Sequence, residues 1–98
     1  MIRDLYLNEE LILSINKQNK LECLLLKDSI IQPVGIKGFE TIVKERPSVM
    51  EQLRAGEKLD ISTDGNNIVS TIKEDKGVGY SIPSSVEDLE NKLNARRF

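Results

Sequence analysis

The segment LECLLL, residues 21–26, decides the fold. In a strand, Leu21, Cys23 and Leu25 would lie on one face, and Leu24 and Leu26 would lie on the other. A strand that is apolar on both faces is typical of the interior of a sheet that is covered on two sides. We therefore predict that this segment is the central strand of a small α+β domain.

The residues before this strand supply its partner. Apolar residues alternate over residues 11–15, and a polar loop around Asn19 separates them from the central strand. A tight loop there would place apolar side chains opposite one another: Ile15 with Leu21, Leu13 with Cys23, and Leu11 with Leu25. We predict an antiparallel hairpin with this register. One long helix over residues 8–27 is the alternative, although its apolar residues form no clean helical stripe.

The middle of the chain predicts an edge strand, a bend or a loop, followed by a short helix. Pro33 and the glycines beside it indicate an edge position, because proline cannot donate a ladder hydrogen bond. The segment Phe39–Glu45 fits a strand by its β-branched residues and also fits a short helix, so both stay open. Ser48 and Glu51 have the spacing of a capping box, and Gly56 stands where a helix-ending glycine belongs.

The second half of the chain predicts a three-stranded meander. Residues 58–72 alternate around an Asp64-Gly65 turn, which would place Ile61 opposite Ile68. A polar turn over Lys73–Gly77 would then lead to a third strand over residues 78–82. Gly77-Val78-Gly79 lacks the third glycine of a phosphate-binding motif, and we interpret it as a tight turn into that strand.

A C-terminal helix is predicted to open after Pro83. Ser84 and Glu87 have the spacing of a second capping box, and the pair Asp88–Lys92 has favourable helical spacing. Together these elements predict one α+β domain over residues 1–98. We expect a small antiparallel sheet of about five strands, with a short middle helix and a C-terminal helix packed on it.

Length and composition describe a globular chain. It has 98 residues, a net charge of −2, 39% hydrophobic residues and 31% charged residues. No apolar run approaches the ~20 residues that span a bilayer, and the N-terminus lacks a signal-peptide profile. The single Cys23 suits a reducing compartment, so we expect a cytoplasmic protein. The bias towards Ile, Lys and Asn favours a bacterial origin or a phage or other mobile element.

Catalytic and metal-binding patterns are scarce. The sequence contains no histidine, which is the usual general base and zinc ligand. Asp60, Ser62 and Asp64 are spaced like the start of a calcium loop, but Thr71 stands where the bidentate glutamate belongs. We predict a hairpin turn there instead, no metal, no cofactor and no enzymatic activity.

Two further groups of residues are given structural interpretations. Cys23 lies in the middle of an apolar strand and is predicted to fill the core rather than to react. The carboxylate pairs Glu9–Glu10 and Glu74–Asp75 are each adjacent in sequence. We predict that they are solvated, since neighbours in a strand point to opposite faces.

The absence of a catalytic pattern favours a protein–protein interaction module, such as a small inhibitor, adaptor or regulator. The candidate partner-binding residues are Tyr80, Arg54, Arg96, Arg97 and Phe98. A homodimer is expected if the two short helices cannot cover Leu24, Leu26, Val69 and the Ile30-Ile31 edge together. The net acidic charge argues against nucleic acid, although a helix followed by a hairpin also fits a winged-helix regulator. A small-ligand-binding protein is the other alternative.

Overall fold

The computed structural model describes residues 5, 9–27, 30–33 and 37–95, which form an antiparallel sheet with helices on one side. In chain order the described elements are strands β1 (Glu10–Ile15), β2 (Leu21–Lys27) and β3 (Ile30–Pro33), helices α1 (Lys37–Lys44) and α2 (Pro47–Arg54), strands β4 (Leu59–Asp64), β5 (Asn67–Ile72) and β6 (Asp75–Gly79), and helix α3 (Ile82–Ala95). The strand order across the sheet is β3-β2-β1-β4-β5-β6. The predicted α+β class is confirmed, with six strands in the described sheet.

The first hairpin has the predicted register. Ile15 pairs with Leu21, Leu13 with Cys23, and Leu11 with Leu25. Asn16 organises the loop, because its Oδ1 atom accepts hydrogen bonds from the backbone N–H groups of Gln18 (2.9 Å) and Lys20 (3.0 Å). Asn19 adopts a left-handed conformation with φ of 61°, which asparagine tolerates better than most residues.

The LECLLL segment is an interior strand, but the prediction that both of its faces are covered was wrong. Strand β2 lies second from one edge of the sheet, and β1 and β4 occupy the centre. Its odd-numbered side chains are buried in the core, whereas Leu24 and Leu26 are only half-buried. The reason is that the helices pack on one face of the sheet, so that only that face is fully removed from water.

The core lies between this sheet face and the three helices. Its buried side chains include Leu11, Leu13, Leu25, Leu59, Ile61 and Ile72 from the strands and Val43, Val49, Leu53, Val86 and Leu89 from the helices. Two polar residues, Ser70 and Ser85, contact each other within this core: both are 0% exposed, and their hydroxyls lie 2.7 Å apart. This hydrogen bond fixes α3 along β5.

The segment Phe39–Glu45, which the sequence allowed to be either a strand or a helix, belongs to helix α1 up to Lys44. Its consecutive apolar residues Ile42 and Val43 are both buried in the core. A strand would have turned one of these two side chains away from the core, and the helix brings both into it.

Helix α2 ends as predicted but begins differently. The N–H of Glu57 bonds to Gln52 O and that of Gly56 to Leu53 O, each at 3.1 Å, and φ of Gly56 is +98°. This is a Schellman motif, which confirms the helix-ending glycine. The helix starts at Pro47, with Arg46 at the N-cap and no capping bond from that side chain. The predicted Ser48–Glu51 capping box was therefore wrong.

A distant carboxylate takes the place of that capping box. Glu90 of α3 is 6% exposed. Its Oε1 accepts the N–H of Ser48 at 2.9 Å, and its Oε2 accepts the N–H of Val49 at 3.0 Å. Pro47 has no N–H, and the N–H of Met50 bonds to Arg46 O at 3.1 Å. The first-turn donors of α2 are therefore all satisfied, two of them by another helix.

The β4–β5 hairpin has a register two residues away from the predicted one. Asp64 pairs with Asn67, so the loop is Gly65-Asn66, and Ile61 faces Ser70 instead of Ile68. Gly65 has φ of +64°. A positive φ at the first loop position, where glycine is preferred, is typical of a type II′ turn.

The next turn is shorter than predicted. Ile72 pairs with Asp75, which leaves Lys73-Glu74 as the loop, and β6 occupies residues 75–79. Tyr80 lies in a bend and Ile82 begins α3, so the prediction of a third strand over residues 78–82 was wrong. The side chain of Ile82 still enters the core, at 1% exposure, as the first residue of the helix.

Lys73 holds a strained conformation that can be relieved. Its φ is 55°, which costs a residue with a Cβ atom about 1–2 kcal/mol. Lys73→Gly should raise the free energy of unfolding by about 0.5–1 kcal/mol, after allowing for the entropy of glycine in the unfolded chain. The lost ion pair to Glu57 (3.4 Å) involves a lysine that is 58% exposed and should matter little.

Urea denaturation measures this change. Lys73→Ala is the matched control, because it removes the same ion pair and keeps the strained backbone. Lower stability for Lys73→Gly than for Lys73→Ala would contradict the strain argument.

Helix α3 begins one turn earlier than predicted. The Oγ atom of Ser81 accepts the N–H of Ser84 at 3.3 Å and lies 2.8 Å from the Ser84 hydroxyl. Ser81 therefore takes the N-cap role that was assigned to Ser84, and the Ser84–Glu87 box was wrong. Proline is tolerated within the first turn of a helix, so Pro83 does not delay the start. The Asp88–Lys92 pair is confirmed, at 3.4 Å.

Gly77 and Gly79 lie in β6 and allow α3 to pack directly on that strand. A Cβ atom on Gly77 would lie 2.7 Å from Leu89 Cα, and one on Gly79 would lie 2.6 Å from Ser84 Cβ. Their interpretation as a tight turn was wrong. These glycines are required because the helix backbone occupies the space where side chains would stand.

Helix α3 also covers the outer edge of β6. Asp88 Oδ2 accepts the N–H of Val78 at 2.9 Å, and Lys92 Nζ donates to the carbonyl oxygen of Lys76. Both backbone groups point away from β5. The hydrogen bond from Val78, together with Lys92, lowers the pKa of Asp88 from its ordinary value.

Candidate functional site

The predicted partner-binding residues are dispersed in the fold. Arg54 lies at the end of α2, and Tyr80 follows β6, the strand at the far edge of the sheet. Tyr80 is 88% exposed. Arg96, Arg97 and Phe98 lie outside the described residues. Of the two predicted residues that the structure describes, Arg54 lines a concave surface.

That surface, which we term the basic groove, lies between the first hairpin and helices α1 and α2. Its volume is about 390 Å³, and it is lined by Asn19, Lys20, Leu21, Val43, Lys44, Met50 and Arg54. Leu21 is 7% exposed and Val43 is 1% exposed, so they form a rigid apolar floor. Lys20 lies in the β1–β2 loop, Lys44 in α1 and Arg54 in α2, and all three are exposed at the surface.

The groove has a charge opposite to that of the chain as a whole. Among the described residues, its lining contains three cationic residues and no acidic one, whereas the net charge of the whole chain is −2. Sequence reasoning identified Arg54 and missed Lys20 and Lys44. The available signal was positional: Lys20 immediately precedes a buried strand, and Lys44 is the last residue of a helix. Neither position indicates a shared surface until the hairpin and helices are placed together.

A second candidate surface is the sheet face opposite the helices, which we term the open face. Alternation along the strands places on it the apolar residues Ile12, Leu24, Leu26, Val69 and Val78. Val78 is 45% exposed, and the other four are half-buried. Aliphatic side chains of this number, on a sheet face that none of the described helices covers, are typical of a contact surface.

Two carboxyl groups lie near the centre of the open face. Glu10 of β1 pairs with Ser62, and Asp60 of β4 pairs with Ile12, so the two acidic residues are diagonal neighbours. Burial, a hydrogen bond with Glu10 and the negative charge of Glu10 together raise the pKa of Asp60 to about 7. Asp60 therefore holds a proton over part of the range in which aspartate is normally ionised.

The interpretation of Glu9–Glu10 as a solvated pair was wrong. Glu9 is 2% exposed, and Glu10 lies half-buried beside Asp60 on the open face. No sequence pattern indicated the Glu10–Asp60 pair, because 50 residues separate its members and only the pairing of β1 with β4 brings them together.

The Asp60 titration should appear in the stability of the protein. The pKa of Asp60 is raised in the folded state above its unfolded value. The contribution of Asp60 to the free energy of unfolding is therefore complete below about pH 4 and is lost as the pH rises through about 7. Allowing for partial exposure of the carboxyl group, we expect a loss on the order of 1–2 kcal/mol. Asp60→Asn should remove this fall.

Urea denaturation across this pH range provides the measurement. Asp64→Asn, at the exposed end of the same strand, is the control and should keep the wild-type pH dependence. An identical fall in stability in wild type and Asp60→Asn would show that Asp60 does not titrate in this way.

Cys23 lies in the core as predicted, at 4% exposure. Burial raises the pKa of its thiol to about 11, so the group is a protonated thiol at neutral pH. Among the described residues, no three acidic or cysteine side chains cluster as metal ligands do. Asp60, Ser62 and Asp64 lie at every second position of β4, on the same face of the strand, and do not form a loop.

The β4–β5 hairpin lies inside the sheet, with β1 on one side and β6 on the other. A winged helix uses a projecting hairpin, and this hairpin does not project.

Within residues 37–95, no helix has the length and apolar character needed to cross a membrane. A scan against protein-family models, a search of curated proteins and a search of solved structures each returned no match to this chain.

Proposed function

We propose that this protein is a non-enzymatic protein-binding module, acting as a small adaptor, inhibitor or regulator, and that the basic groove receives its partner. The observation that carries the proposal is the ring of Lys20, Lys44 and Arg54 around the apolar floor of Leu21 and Val43. Binding energy at protein interfaces concentrates where a buried apolar anchor is surrounded by polar contacts.

Charge complementarity indicates the chemistry of the partner. A segment with one aliphatic or aromatic side chain flanked by Asp or Glu would place the apolar group on the floor and its carboxylates beside the cations. Arg54 offers a planar guanidinium that can bind a carboxylate with two hydrogen bonds. A volume of about 390 Å³ admits one or two side chains, which suits the anchor of a short peptide.

Selection from a random peptide library tests the proposal directly, because the library needs no named partner. The expected consensus has an apolar anchor with acidic neighbours. Arg54→Glu and Lys20→Glu should each weaken binding of a selected peptide by about tenfold or more, and added salt should weaken it further. Lys17→Glu reverses a charge in the same hairpin loop but outside the groove lining, and should leave binding nearly unchanged.

Neutral or basic consensus peptides would overturn the proposal, as would acidic peptides that bind the Arg54→Glu variant as well as wild type. The selected consensus can then be used to search the proteins encoded beside this chain in its native genome. A genuine partner should contain the consensus in an exposed segment and lose binding when the acidic residues are replaced.

A small organic anion is the second candidate ligand of the same groove. The volume falls within the range of small-molecule sites, which begins at about 300 Å³. Citrate is a suitable probe. A concentration-dependent rise in melting temperature that disappears in Arg54→Glu would favour this function, whereas no rise at millimolar citrate would favour the peptide.

A further inference from the structure

The open face has the form of one half of a two-sheet sandwich. Three helices cover the opposite face, and the molecule is 24 Å across its shortest axis, as expected for one sheet and one helix layer. The uncovered strands present Ile12, Leu24 and Leu26 on one side and Val69 with Val78 on the other. Two sheets that face each other pack about 10 Å apart with such side chains between them.

The size of the open face is sufficient for a dimer. Five strands from β2 to β6, about 4.8 Å apart and about 20 Å long, give roughly 500 Å² in plan. Protruding side chains add to this plan area, which corresponds to the smaller class of interface, in which the two partners together bury less than ~1,200 Å². A second copy of this chain carries the same twist and the same apolar rows, so a two-fold axis through the face would set the apolar rows of both copies against one another.

The carboxyl pair determines when such a contact can form. Facing two copies brings two Glu10–Asp60 pairs into one layer that excludes water. Up to four carboxylates would then share a region of low dielectric, which is strongly unfavourable while they are all ionised. Protonated carboxyl groups can instead hydrogen-bond to one another and be buried at much lower cost.

The other charges on this face do not cancel the pair. Among the described residues, the strands around Asp60 present Glu10 and Glu22 from β1 and β2, Asp64 from the end of β4 and Lys76 from β6, while β5 presents only uncharged side chains. Lys76 is the single cation of this set, and Thr71 separates it from Asp60 in the same row. The face therefore remains net negative when all of its carboxyl groups are ionised.

We propose that the open face is the contact between two copies of this chain, and that the dimer forms when the Asp60 carboxyl group beside Glu10 is protonated in each copy. The contact is independent of the basic groove, which lies on the helix side of the sheet. Each dimer would present two grooves, one at each outer surface.

The raised pKa of Asp60 sets the range in which this association should change. With a pKa of about 7, the group is largely protonated one to two pH units below neutrality and largely ionised one to two units above. We expect the dimer to dissociate as the pH rises through this range, and the dissociation constant to increase by about tenfold or more.

Sedimentation equilibrium from micromolar to submillimolar protein, at about pH 5.5 and about pH 8.5, tests the proposal around the Asp60 pKa of about 7. Wild type should associate more tightly at the lower pH. Leu24→Lys should be monomeric at both values, with circular dichroism confirming that it is folded. Asp60→Asn should dimerise almost equally at both, because its amide carries no charge.

Low pH also brings the chain close to its isoelectric point of about 5.2, where non-specific association increases. Glu74→Gln controls for this effect, since it removes one exposed carboxylate in the β5–β6 turn and leaves the open face intact. It should keep the full pH dependence that Asp60→Asn loses. A monomer at both pH values, a dimer that survives Leu24→Lys, or equal pH dependence in Asp60→Asn and Glu74→Gln would each overturn the proposal.

Discussion

Gly77→Ala should lower the free energy of unfolding by about 3 kcal/mol, one of the two largest effects expected of a single substitution here. The new Cβ atom would lie 2.7 Å from Leu89 Cα and closer still to the carbonyl oxygen of Ser85. Both neighbours are backbone atoms of α3, so no side-chain rotation can relieve the overlap. The helix must move away from β6.

That movement would break the polar contacts that hold α3 to the sheet. The Ser70–Ser85 hydrogen bond is buried, at 2.7 Å, and the contact of Asp88 with Val78 is 2.9 Å long. Leaving buried polar groups unpaired adds to the cost of overpacking. Amide hydrogen exchange of α3 should therefore accelerate more than exchange in the β1–β2 hairpin, which β4 and β5 separate from β6.

Gly65→Ala is the control for this substitution. An added Cβ atom meets nothing within 4 Å there, although φ is +64°. The control should lose only the conformational cost of a left-handed alanine, about 1 kcal/mol. Equal losses for Gly77→Ala and Gly65→Ala, measured by urea denaturation, would show that α3 is not packed against the β6 backbone as described.

Glu90→Gln should destabilise the protein by about 2 kcal/mol, and Glu90→Ala by about 3 kcal/mol. The carboxylate accepts two hydrogen bonds, from Ser48 and Val49, in a site where Glu90 is only 6% exposed. A glutamine offers one acceptor and one donor. Its NH₂ group would face a backbone N–H, so one bond is lost and replaced by a donor–donor contact.

The charge of Glu90 also matters because it lies at the N-terminus of α2, where a negative group interacts favourably with the helix dipole. Glu87→Gln is a matched control on the same helix. Glu87 is 65% exposed and lies 3.7 Å from Arg46, so its substitution should change stability by less than about 0.5 kcal/mol. Wild-type stability for Glu90→Gln would exclude a capping role for the carboxylate.

The two ends of α2 show what could be predicted from the sequence. Its C-terminal glycine was identified correctly, because a Schellman motif is built from residues that are close in sequence. Its N-terminal cap was not, because the acceptor comes from Glu90, 42 positions after Ser48. A local Ser-x-x-Glu pattern was present, and the tertiary contact replaced it.

The two predicted hairpins show the same limit in the sheet. The β1–β2 register was correct because three apolar pairs could be aligned in only one compact way. In the β4–β5 hairpin, the predicted and observed registers differ by two residues and place the same side chains on the same faces. Hydrophobic alternation cannot distinguish them, and the position of Gly65 within the turn decides.

The candidate surfaces were predicted only in part. Arg54 was named from the sequence as a partner-binding residue, and Leu24, Leu26 and Val69 were named as residues of a possible dimer contact. In the described structure, Leu24, Leu26 and Val69 lie on the sheet face opposite the helices. Lys20 and Lys44 join Arg54 only through the packing of α1 and α2 against the hairpin. The Glu10–Asp60 pair depends on two strands whose contact no local pattern indicates.

The side chains that α3 extends over β6 have a further consequence for solubility. An exposed strand at the margin of a sheet can recruit the same strand from another molecule and so begin a fibre. Here Asp88 and Lys92 occupy the N–H of Val78 and the carbonyl of Lys76, the groups that an incoming strand would need. Growth of a fibre from this margin would first require these two side-chain contacts to break.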